Sequence, residues 1–303
     1  MPNYDGKAAT LLLRGGEIVA PEVVEESMQI AAADLQAEIG ASMAMQGEFG
    51  TSGQAMRDLV TAGASETALE AHRARANAIR AQRPAVAAIM PPEPPMIAQE
   101  PFAYTGSIGG VETPNYDYKW TWFRENGIVA SHNETVNDPT PGRMHIQHFL
   151  DGDSRQEERI DAAVGLGFYF RPPTKRGFLQ IDARPALQST YVSVNNLSTT
   201  TGKSWVGTYI GEYIVGTNTF NQTMSDHRET IFSDSSFWIG HNFNKSTSGH
   251  PLMGRSVVSG SHWYAIWVWC GMTTSNAGDG TFGSAVNINA LTVNVPSITW
   301  ALL

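Results

Sequence analysis

The chain of 303 residues has one cysteine, Cys270. With no second thiol it closes no internal disulfide, so its fold does not depend on oxidation. Long apolar runs are missing too. No stretch reaches the 18 or so residues that a membrane-crossing helix requires. The first residues, MPNYDGKAATLLLRGGEIV, hold a short apolar part without a strongly basic flank and do not read as a secretory leader. The expectation is cytoplasmic synthesis, with release inside a particle. Positive charge is scarce, with 20 Lys and Arg against 29 Asp and Glu and a net charge of −9. Such a surface repels phosphate, which disfavours nucleic acid and anionic membranes as partners. The sequence also lacks G-x-S-x-G, a Walker loop, H-E-x-x-H and any cysteine cluster. Neither a cofactor nor a metal is expected.

Tryptophan is absent from the first hundred residues, and all eight lie at position 120 or beyond. The same hundred residues hold 22 alanines and carry 7 basic against 13 acidic side chains, or −6 of the total charge. This part reads as helix. Pro21 suits a first turn, with Glu22, Glu25 and Glu26 near the positive end of the helix dipole. Val24, Met28, Ala31, Leu35, Ile39 and Met43 recur at spacings of three and four and form one apolar stripe. A second helical stretch runs from about 54 to 83 and stops at Pro84. Stripes this poor in large residues bury too little to stand alone. They call for a surface to pack against: their own chain, further copies of it, or another protein. Residues 84–101, PAVAAIMPPEPPMIAQEP, hold six prolines and form a stiff, extended spacer.

From about residue 103 the pattern changes to strands. YKWTWF, MHIQHF, AVGLGFYFR, GFLQIDAR, STYVSVN, SWVGTYIGEYIV, SFWIGH, MGRSVVS, HWYAIWVWC and AVNINALTVNV are β-rich runs separated by Gly, Pro, Asn and Ser clusters. About ten strands with no helix between them read as an antiparallel β-sandwich of jelly-roll type. The expected fold is therefore α+β: a helical region at 1–83, a Pro-rich linker at 84–102 and a β-sandwich head at 103–303.

The segment HWYAIWVWCG, 262–271, is apolar on both faces of a strand. Trp263, Ala265, Trp267 and Trp269 share one side, and Tyr264, Ile266, Val268 and Cys270 share the other. A strand apolar on both sides is normally central and covered twice. Trp263, Trp267 and Trp269 therefore read as core or interface aromatics, with a sugar-stacking platform as the competing reading. Cys270 reads as a buried, inert thiol.

Two polar segments flanked by aromatics are the candidate contact loops for a glycan: WIGHNFNKSTSGHP (238–251) and GMTTSNAGDGTFGSA (271–285). Their candidate residues are Trp238, His241, Asn242, Asn244, His250 and Phe282. His145 and His148 fall on opposite faces if their segment is a strand, which spoils joint metal ligation. The following DGDSRQEE reads as a turn. Asp182, Glu212, Asp226 and Glu229 are the acids from which a glycosidase pair would come.

Three functions follow. The first is a non-enzymatic structural or adhesive component of a larger assembly, of fibre, decoration or appendage type. Its helices assemble copies of the chain, as in a trimer, or dock on another protein, and its head touches a surface or glycan. The second is a soluble, lectin-like carbohydrate-binding protein. The third is a jelly-roll glycoside hydrolase.

Overall fold

A computed structural model describes residues 108–303, apart from 127–130, 153–157, 174–175, 197, 215–218, 238–240 and 279–283. The expected helices and Pro-rich linker lie outside the described residues. Those described are all β, in antiparallel sheets. The strands are β1 (Ile108–Glu112), β2 (Tyr118–Asn126), β3 (Ser131–Asp138), β4 (Arg143–Gly152), β5 (Glu158–Phe170), β6 (Gly177–Ala183) and β7 (Ala186–Asn196). Next come β8 (Ser198–Ile214), β9 (Thr219–Phe237), β10 (His241–Thr247), β11 (Leu252–Val258), β12 (Trp263–Gly278), β13 (Ser284–Asn294) and β14 (Ile298–Leu302).

The front layer is one sheet in the order β2-β5-β12-β8-β9. The back layer is two sheets laid end to end, β10-β7-β13-β4-β3 and β1-β14-β6-β11. Proline explains the break. Pro185 separates β6 from β7, Pro251 precedes β11, and Pro296 separates β13 from β14. Proline has no N–H to give a ladder, so prolines at one level of three neighbouring strands end the pairing there. The amide of His250 donates to the Pro185 carbonyl (2.9 Å), which carries the β11–β6 pairing up to the seam, and that of Val295 to Gly142 (2.8 Å), which carries the β13–β4 pairing up to it.

The even-numbered residues of β5, β8 and β12 face the back layer. Val164, Leu166, Val206, Ile210, Ile266, Val268 and Cys270 are buried there against Ile146, Leu179, Ile181, Leu291 and Val293. Burial pushes the Cys270 thiol well above its usual range. The odd-numbered residues of these strands, with Tyr118 and Trp120 of β2, build a second apolar cluster on the outer side of the same sheet. Every member is a front-sheet residue: Tyr118, Trp120, Ala163, Trp205, Tyr209, Ala265, Trp267 and Trp269. Trp267 stacks on Tyr209 with ring centres 3.8 Å apart and meets Trp120 edge-on at 6.1 Å. Trp205 meets Trp269 edge-on at 6.4 Å. Glycines opposite the rings let them lie close to the sheet. A Cβ on Gly165 would collide with the Trp120 indole, and one on Gly271 would sit 2.5 Å from that of Trp205.

The sequence readings miss some strands. β9 and β10 are polar edge strands without apolar alternation, and β1 and β14 are short. The segment 271–278, read as loop, continues β12. Its Thr273, Thr274, Ser275 and Asn276 are buried and pair with β5 and β8.

If the glycines make room for the rings, Gly271→Ala overpacks the outer cluster. Stability should fall by about 1–3 kcal/mol, the usual cost of an extra methyl in a filled core. Urea unfolding followed by tryptophan emission measures it, and an unchanged midpoint would contradict this packing.

Candidate functional site: the rim of β9, β10 and β11

β10 is the edge of its sheet, paired only to β7 among the described strands. Its register opposes Phe243 to Tyr191, Asn244 to Thr190 and Asn242 to Val192. Phe243 therefore turns inward, onto Phe232 of β9 with ring centres 4.6 Å apart. Asn242, Asn244 and Ser246 turn to the opposite side and are exposed, as is Lys245. The strand is a polar ribbon nailed down by one aromatic.

Histidines complete the fastening. His241 Nδ1 lies 2.8 Å from Asp234 Oδ2 on β9. His250, just before β11, places Nε2 2.8 Å from Glu229 Oε2, and His227 reaches the other oxygen of Glu229 at 3.0 Å. Burial raises the Glu229 pKa, but the hydrogen bonds and charge of His227 and His250 outweigh it and hold the carboxyl below its ordinary value. Front-layer acids thus grip back-layer imidazoles along the open side of the sandwich. His241 and His250, expected as ligand contacts, are engaged in this closure. Trp238 and Phe282 lie outside the described residues.

The remaining candidate acids also have basic side chains beside them. Asp182 meets Arg184 at 3.3 Å, Glu212 meets His262 at 2.9 Å, and Asp226 meets Arg228 at 3.9 Å. His145 and His148 sit on opposite faces of β4, His145 against the Thr292 hydroxyl (2.8 Å) and His148 against that of Thr274 (3.0 Å). Among the described residues no group of three or more His, Cys, Asp and Glu is placed to hold a metal. Trp267 and Trp269 are 1% and 2% exposed, so neither offers a ring face to a sugar. Trp263 is half-buried, with the Arg171 guanidinium 6.0 Å from its ring centre.

Sequence reasoning passed over a polar layer inside the sandwich. Asn289 donates to the Thr274 hydroxyl (3.2 Å), and Asn287 to the Thr201 carbonyl (3.2 Å). The Tyr191 hydroxyl lies among Thr200, Ser193 and Asn287. His148 is fully buried beside them, and desolvation pushes its pKa down to about 3. The inward parity of Asn287 and Asn289 with Leu291 and Val293 was the available sign.

No protein-family model matches this chain. No curated protein matches it either. Among solved structures, TmCBM61 in complex with β-1,4-galactotriose is 5% identical over 56% of this chain and 87% of that one, at a TM-score of 0.17. The family 11 carbohydrate-binding module of Clostridium thermocellum, with a mixed-linked tetrasaccharide, is 8% identical over 57% and 88%, at 0.17. The Endo-D glycoside hydrolase domain of Streptococcus pneumoniae R6 is 10% identical over 57% of this chain and 21% of that one, at 0.17. Likenesses at these scores carry no argument about fold or function.

His148 gives the fold a pH dependence. In the native state it stays neutral down to about pH 3, whereas in the unfolded chain it takes a proton below about 6.5. Its effect is complete above 6.5 and drains as pH falls toward 3, by about 1.4 kcal/mol per pH unit. Denaturant unfolding between pH 6.5 and 4.5 should show a slope one proton smaller in His148→Asn than in the parent. Equal slopes would mean that the imidazole charges within the fold.

Proposed function

We propose that the protein is a non-enzymatic structural or adhesive component of a larger assembly. Residues 1–83 are its helical base for oligomerisation or docking, 84–102 its stiff neck, and the residues from 103 its contact head, a sandwich of jelly-roll type. Successive connections support that last reading, because the chain crosses between front and back layers at β1–β2, β2–β3, β4–β5, β5–β6, β7–β8, β9–β10, β11–β12 and β12–β13.

The observation that carries the adhesive reading is β10. It presents Asn242, Asn244 and Ser246 outward on a strand whose other side is locked by Phe243 on Phe232 and His241 on Asp234. A rigid row of amide and hydroxyl groups suits hydrogen bonding to a hydroxyl-rich surface such as a glycan, because little ordering is left to do on contact. The amides are the natural anchors, since each supplies both a donor and an acceptor. The soluble lectin-like reading uses this same rim. The two part at assembly: light scattering of the full chain gives a multiple of 32.9 kDa under the first and the monomer mass under the second.

Against a glycan panel, Asn242→Ala with Asn244→Ala should lower affinity about tenfold or more, as two hydrogen bonds worth about 1 kcal/mol each would require. The melting temperature should hardly move, because both side chains are exposed. A parent protein that retains no glycan, or a double variant that binds as well as the parent, would refute the rim as the contact.

A further inference from the structure

Exposed apolar side chains are not spread over the described surface. Of the seven large ones, only Phe123 lies away from the sheet β1-β14-β6-β11. Ile108, Val111, Phe178, Met253, Val257 and Leu303 belong to that sheet or its immediate end. Three of them form a row. Val257 of β11 is in register with Phe178 of β6, and Phe178 exchanges backbone hydrogen bonds with Leu303 at 3.0 and 2.9 Å. They are 46%, 39% and 58% exposed. The opposite faces of the same strands are sealed in the core by Leu179, Val258 and Leu302. This end of the sheet is apolar on both sides, yet only one side is covered.

Its position says what belongs on the other. Ile108 opens β1 and pairs with Leu302, beside the row. The preceding 107 residues therefore join the sandwich at this end of this sheet. A base that gathers copies of the chain through those residues brings the same ends of several heads together. We propose that the row Val257–Phe178–Leu303 is the contact between the heads of neighbouring copies of this chain. The inference rests on the oligomeric-base reading above.

Magnitude sets the character of the contact. Side chains of this size, about half exposed, leave a few hundred Å² of apolar surface per copy, within what an ordinary monomer carries. A free-standing complex needs about 800 Å² from each partner. The row therefore does not hold copies together alone. Tethered through a common base, the heads meet at an effective concentration in the millimolar range, where a weak apolar contact closes.

The buried, inert Cys270 gives a clean background for introduced thiols. The experiment uses the full chain carrying Val257→Cys or, separately, Leu303→Cys, with Asn242→Cys on the distant rim as comparison. Each is treated with a short bismaleimide, and the same samples are weighed by light scattering. The expected result is an oligomeric mass with covalent dimers from positions 257 and 303 but not 242. Adding Phe178→Asp should cut linkage at least severalfold while leaving the mass unchanged. An oligomeric mass without linkage from either position overturns the row as a head contact and leaves the base intact. A monomeric mass overturns the base and this contact with it. Using two positions, each checked by tryptophan emission, separates a misfolded variant from a negative result.

Discussion

Strand β12 is buried on both faces, and the rest of the sandwich depends on that. Its even residues bind the front sheet to the back layer, and its odd residues hold the outer aromatic cluster. Apolar burial of this extent is the main favourable term in folding. It also removes freedom. With neighbours on both faces, β12 has one register, because a slip of one residue would exchange Trp267 and Trp269 for Ile266 and Val268. Glycine at 165 and 271 follows from the same constraint, since the indoles occupy the space a side chain would need.

Function is thereby moved outward. The core faces of the sandwich are filled, and Asp234 and Glu229 along its open side hold β9 to His241 of β10 and to His250 before β11. What the rim offers is a rigid polar strand with exposed amides on one side. The back layer offers something different at its far end, a short apolar row beside the place where the remaining chain joins. One surface suits a hydroxyl-rich contact and the other a tethered copy of the same chain. Under the proposed function, a contact head carried on a neck would use both.

The fold class of the described part was legible because β-rich alternation is a strong signal where one face is buried. The opening of β12, with Trp263 to Cys270 alternating between two apolar faces, announced a central strand. β9 and β10 were hidden for a physical reason. An edge strand keeps only one side of its ladder and needs few apolar residues, so HNFNKST looks like loop chemistry although Phe243 pins it. The run Thr273 to Asn276 misled in the opposite way. Polar residues there face a buried polar layer, and composition alone does not separate that from a solvated loop. The histidines at 241 and 250 were visible as chemistry, but their partners Asp234 and Glu229 lie on a strand of the opposite layer. Local sequence carries no record of such pairing.

Native-state hydrogen exchange tests the organising role of β12 most directly. Amides from Tyr264 to Met272 are hydrogen-bonded between β5 and β8 and closed in from both faces. They should exchange only through global unfolding, with the highest protection in the sandwich. Amides of β10 and β11 should open at lower free energy. If β12 exchanged through a local opening while the rim strands stayed protected, the sandwich would not be built around that strand.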